Sequence, residues 1–130
     1  MIKLYTDAAT LGNPGPTGLG ALIVSPEKNL QLKQTLNSAS NHEGEFAAAI
    51  AGFKAVKEQF TADETILFYT DSRLVSDAVG KGFAKHYEAQ LAELLALIDI
   101  FNFVVTKWIP EKQNQGAHNL ANQALHANES

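Results

Sequence analysis

The chain has 130 residues, of which 45% are hydrophobic, and this suits one globular domain with a core of its own. Ten basic residues against fourteen acidic ones give a formal net charge of −4, which argues against holding a polyanion by diffuse positive charge. There is no cysteine, so disulfides and thiolate metal sites are excluded, and no segment reaches the ~18 apolar residues of a membrane span.

The chain begins with no basic-then-apolar leader, so export is not expected and a cytoplasmic location is. Ile2 to Thr6 predicts a strand ending on Asp7, and the Gly- and Pro-rich stretch from Gly12 to Gly18 predicts a tight connection. Leu19 to Val24 is a second strand. Leu30 to Leu36 alternates apolar and polar residues, which predicts a half-exposed third strand completing an antiparallel meander.

The period then changes. Phe46, Ala49, Ile50, Phe53, Val56 and Phe60 follow helical spacing and predict a helix from Glu43 to Gln59. Ser40 and Asn41 stand ready to cap it, and Glu43 and Glu45 favour its positive end. Thr65 to Thr70 is a strand ending on Asp71. Ser72 to Val79 is a short helix broken by Gly80 and Gly82, and Tyr87 to Ile98 is a longer one. Asn102 to Trp108 is the last strand, stopped by Pro110. Ala117, Leu120, Ala121, Ala124 and Leu125 mark a final helix. The order β-β-β-α-β-α-α-β-α predicts an α/β domain over residues 1–127, a five-stranded mixed sheet with helices on both faces, followed by a tail at 128–130.

Three carboxylates stand out by position. Tyr5-Thr6-Asp7 and Tyr69-Thr70-Asp71 echo each other, each an apolar strand running into an acid. If those strands are neighbours, both acids lie at one edge of the sheet, where ligands of such folds collect. Glu45 precedes Phe46 on the buried stripe and can point along the same edge. Clustered carboxylates repel, so the cluster implies hard divalent cations, and two of them ~3.5–4 Å apart form the usual clamp for phosphodiester hydrolysis. Singly, each acid also reads as a capping or turn residue.

The motifs resemble those of type 1 ribonuclease H, in a short form without the extra basic helix and loop. Tyr5-Thr6-Asp7 with Gly12-Asn13-Pro14-Gly15-Pro16 and Gly18-Leu19-Gly20 is similar to the opening motif. Ser40-Asn41-His42-Glu43-Gly44-Glu45-Phe46 resembles the second and Tyr69-Thr70-Asp71-Ser72 the third. Trp108-Ile109-Pro110 through Asn114 to Leu120-Ala121-Asn122 resembles the closing segment. The resemblance implies that Asp7, Glu45 and Asp71 bind Mg²⁺ or Mn²⁺, two ions when substrate is present. It also implies that Asn13, Ser40 and Asn41 hold the backbone of an RNA–DNA hybrid, where Asn and Ser suit phosphate and the 2′-hydroxyl.

The sequence departs from the family pattern in three places. Ala8 stands where a Gly usually follows the first Asp, and Glu111 where an Arg is common. His118 occupies the position of the fourth catalytic Asp. It lies off the apolar stripe of its helix, and a neutral imidazole there is a ligand suited to transition ions more than to Mg²⁺. The resemblance thus implies a monomeric endonuclease cutting the RNA strand of hybrids with two metal ions. A hybrid- or RNA-binding module without catalysis, or a nuclease for another nucleic-acid structure, are the alternatives. Retention of all three upstream acids favours the enzyme.

Overall fold

In the computed structural model, residues 1–127 are described, so the expected tail at 128–130 lies outside the described residues. The strands are β1 (Ile2–Thr10), β2 (Gly15–Val24), β3 (Asn29–Ala39), β4 (Thr65–Thr70) and β5 (Phe103–Trp108). The helices are α1 (Asn41–Gln59) between β3 and β4, α2 (Arg73–Lys81) and α3 (Glu88–Ile98) between β4 and β5, and α4 (Gln115–Ala127) at the end. A 3-10 turn at Glu111–Gln113 joins β5 to α4 and was not foreseen from sequence.

The sheet runs β3-β2-β1-β4-β5, with β1 central between β2 and β4. β1 and β2 pair antiparallel, as do β2 and β3, whereas β1–β4 and β4–β5 are parallel. Tyr5 pairs with Tyr69 and Thr6 with Thr70, so the two Tyr-Thr-Asp segments lie side by side in register. The two tyrosine rings stack at 4.8 Å.

Side-chain alternation decides which face each residue serves. Ile2, Leu4, Ile66 and Phe68 are buried with Phe46, Phe53 and Val56 of α1 and Leu94 of α3 in the main core. α4 covers the opposite face over β2 and β1, and here glycine matters for approach rather than for turning. A Cβ added at Gly20 would meet Ala117 O and stand 2.5 Å from Ala121 N, and one at Gly18 would collide with Ala121 O. These two positions let the backbone of α4 settle directly on β2.

Several boundaries differ from the sequence reading. β1 continues through Asp7 to Thr10, because its ladder with β2 runs on from Lys3–Val24 to Thr10–Thr17. Asp7 is therefore inside a strand opposite Gly20, not at its end, and β2 starts at Gly15. β3 is longer than expected at both ends. Ser40 alone caps α1: its Oγ accepts from Glu43 N and Glu43 Oε1 accepts from Ser40 N, a reciprocal capping box, which places Asn41 inside the helix. α2 passes through Gly80 and stops at Gly82, whose φ of 72° closes the helix in the left-handed conformation.

Candidate active site

The parallel pairing of β1 and β4 brings Asp7 and Asp71 to one edge, and α1 delivers Glu45 beside them. With His118 of α4 they line a single open cavity of ≈ 410 Å³, completed by Ala8, Trp108 and Glu111. The four residues singled out from sequence are thus brought together, and Asn13, Ser40 and Asn41 are not part of that cavity. Asn13 instead joins the β1–β2 loop to the start of α1, its Oδ1 accepting from Asn41 N at 2.9 Å. That bond leaves the Asn13 amide NH₂ and the exposed Asn41 side chain available at the start of α1.

Asp7 and Glu45 are each held by hydrogen bonds from their neighbours. Asp7 Oδ1 accepts from Ala8 N at 2.9 Å, and Oδ2 accepts from His118 Nδ1 at 3.1 Å. Glu45 Oε2 accepts from Ser72 Oγ at 2.7 Å and from His42 Nδ1 at 3.2 Å. Ser72 does two things with one hydroxyl, since its oxygen also accepts from Val75 N and caps α2. Asp71 lies between β4 and this cap, and its backbone oxygen accepts from the Trp108 indole at 2.9 Å. Ser72, His42 and Trp108 were not assigned to the site from sequence, although Ser72 follows Asp71 directly and carries the side chain of a helix cap.

His118 is half-buried and its ring is engaged on both sides. Asn122 Nδ2 donates to Nε2 at 3.1 Å, which assigns the ring proton to Nδ1, the atom that donates to Asp7. His118 here orients Asp7; for either ring nitrogen to serve as a ligand, one of these two bonds must open. Asn114 sets the helix carrying it: His118 N donates to Asn114 O at 3.0 Å, while Asn114 Nδ2 donates to Thr6 O at 2.9 Å, just before Asp7. Among the described residues Asn114 Oδ1 has no hydrogen-bond partner.

The electrostatics carry the mark of crowded acids. Asp7 is 9% exposed, and burial, then the charge of Asp71, push its carboxyl up from 3.8 to about 6 against the pull of Ala8 N–H and His118. Asp71 is also raised, first by burial and then by Glu45 and Glu111, with Asn114 and His118 opposing. Asp7, Glu45, Asp71 and His118 share one cavity, but among the described residues no three His, Cys, Asp or Glu side chains stand close enough together to hold an ion as they are. The donor chemistry nonetheless fits hard divalent cations: oxygen ligands from three elements face one cavity and repel each other without a cation between them.

A mixed sheet in this order, with acids from β1, α1 and β4 at one edge and a closing helix over the meander, is the ribonuclease H-like fold. Residues 5–124 match the family described as reverse transcriptase-like, and the chain belongs to it. Over 127 residues it is 38% identical to EbsB of Enterococcus faecalis, named a hydrolase, covering 96% of this chain and 94% of that protein. It is 40% identical over 88 residues to the ribonuclease H of Trichodesmium erythraeum, a match spanning 68% of this chain and only 54% of that protein's length. The structure of RNase H1 from the halophilic archaeon Halobacterium salinarum superposes with a TM-score of 0.89 at 26% identity, over 97% of this chain and 98% of that one. Among the described residues no helix is long and apolar enough to cross a membrane.

Proposed function

We propose that this chain, as a single domain over residues 1–127, is a divalent-metal-dependent endonuclease that hydrolyses the RNA strand of RNA–DNA hybrids. The observation that carries the reading is the convergence of Asp7, Glu45, Asp71 and His118 on one open cavity at the sheet edge. Asp7, Glu45 and Asp71 would hold the ions, with His118 steadying Asp7. Bound divalent ions supply the Lewis acidity that activates water and stabilises the leaving 3′-oxygen.

The chain's own residues set the geometry for this. His118 Nδ1–H keeps Asp7 Oδ2 turned to the α4 side. Ser72 and His42 hold one oxygen of Glu45, Oε2, and leave the other without a hydrogen bond among the described residues. Asn13 and Asn41, joined at the start of the helix that carries Glu45, would hold the substrate backbone, since amides suit phosphate and the 2′-hydroxyl that marks the RNA strand.

A second reading, a hybrid-binding module without catalysis, is favoured by one observation: both nitrogens of His118 are occupied within the protein. Hydrolysis of an end-labelled hybrid in Mg²⁺ and in Mn²⁺ separates the two. Cleavage by the wild type, lost in Asp71→Asn with binding retained, supports the enzyme. Binding without cleavage in either ion establishes the module.

A further inference from the structure

The only arginine and the only tryptophan of the chain meet at the rim of this cavity. The Arg73 guanidinium lies over the Trp108 ring, 3.8 Å from its centroid. Trp108 lines the cavity, and its indole N–H is fastened to Asp71 O, so the surface under the guanidinium is fixed. From this pairing, and resting on the function proposed above, we infer that Arg73 grips a backbone phosphate of the hybrid beside the acidic site.

The local chemistry supports a binding role over a structural one. Arg73 is exposed, and among the described residues no carboxylate or other acceptor engages its N–H groups. Asp71 stands two positions before it and Asp77 four after it, yet neither forms an ion pair with it. Arg73 is also the first residue of α2, whose first turn holds no acid, so a cation sits at the helix end that disfavours one. Among the described residues only the Trp108 ring engages this charge directly.

Stacking uses the face of the guanidinium and leaves its N–H edge free. That edge matches phosphate bidentately, and the stack holds it in place before the ligand arrives. The need is clear from the surroundings. Asp7, Glu45, Asp71 and Glu111 line the cavity, and a phosphodiester entering it meets net negative charge. A fixed cation at the border offsets that repulsion without occupying the cavity itself.

The test is equilibrium binding of a fluorescent RNA–DNA hybrid without metal across a salt series, using wild type, Arg73→Gln and Arg73→Lys. Loss of a charged hydrogen-bonding group predicts about 5- to 20-fold weaker binding by Arg73→Gln, with the salt slope lowered by about one phosphate contact. Arg73→Lys should keep the slope and lose part of the affinity. The melting temperatures should match, and Trp108 emission should change on hybrid binding in the wild type. Arg73→Gln affinity within twofold of wild type, or a loss of affinity with an unchanged salt slope, overturns the assignment. A wild type that binds no hybrid here, nor when Ca²⁺ is added to fill the acidic site, overturns the function proposed above, and this assignment with it.

Discussion

Replacing Asp7 by Asn removes a charge the folded protein holds at a cost, so the substitution should stabilise the metal-free fold. In the native chain the Asp7 carboxyl is raised from 3.8 to about 6, first by burial and then by Asp71. At ~1.4 kcal/mol per unit, ionised Asp7 costs the folded state up to about 3 kcal/mol at neutral pH. Asn resembles the protonated acid, and the raised value already counts the opposing pull of Ala8 N–H and His118, so the net gain is about 2–3 kcal/mol. For a domain of this size that is a rise in melting temperature of about 6–15 °C.

The pH dependence has a definite sign. A carboxyl raised in the folded state binds a proton more tightly there than in the unfolded chain. Its contribution is therefore fully present below pH 3.8 and is lost as pH rises through about 6. The advantage of Asp7→Asn should be near zero at pH 3.5, open between pH 4 and 6, and reach its full size above pH 7. Thermal unfolding in EDTA at several pH values measures it. Saturating Mg²⁺ or Mn²⁺ should shrink or reverse the gap, because only the wild type gains from a ligand bound to its native state. A variant no more stable at pH 7.5, or a gap constant with pH, would falsify the crowded-acid account.

His118→Ala should lower Mn²⁺-dependent hybrid cleavage several-fold by freeing Asp7, whereas His118→Asp should raise cleavage in Mg²⁺; equal Mn²⁺ rates for wild type and His118→Ala would make the histidine inert. Hybrid affinity should fall only shallowly with salt, since the chain carries net charge −4 and few free cations at the site, and a slope matching ~6–10 phosphate contacts would reveal a basic face elsewhere. Gly20→Ala should cost about 2–4 kcal/mol in chemical denaturation, because its Cβ meets α4 backbone that has no room to retreat.

The architecture was legible because its periods are clean. The helical stripe of α1 and the alternation of β3 each carry a single interpretation, and the repeated Tyr-Thr-Asp announced two strands that pair in register. The limit of β1 was not legible. Gly and Pro density suggested a loop from Gly12 to Gly18, whereas β2 begins at Gly15 and uses Gly18 and Gly20 for helix contact. Glycine marks both turns and close approaches, and spacing alone does not separate them. The three acids were picked out by their positions, and His118 only through the family resemblance. Their supporting residues were not, because Ser72 reaches Glu45 across 27 positions and His118 reaches Asp7 across 111. Such partnerships are set by docking, not by local pattern.

That last separation has a consequence for the order in which the protein comes into being. β1 leaves the ribosome well before α4, so a nascent chain holds Asp7, Glu45 and Asp71 long before it holds the residue that orients Asp7. The meander can pair early, but its outer face stays open until α4 has been made and pressed against Gly18 and Gly20. Contacts so distant in sequence also form late in folding, since the intervening chain must be ordered before they repay its closure. Completion of the acidic edge is therefore tied to the emergence of α4, and no nascent chain that still lacks α4 carries all four residues.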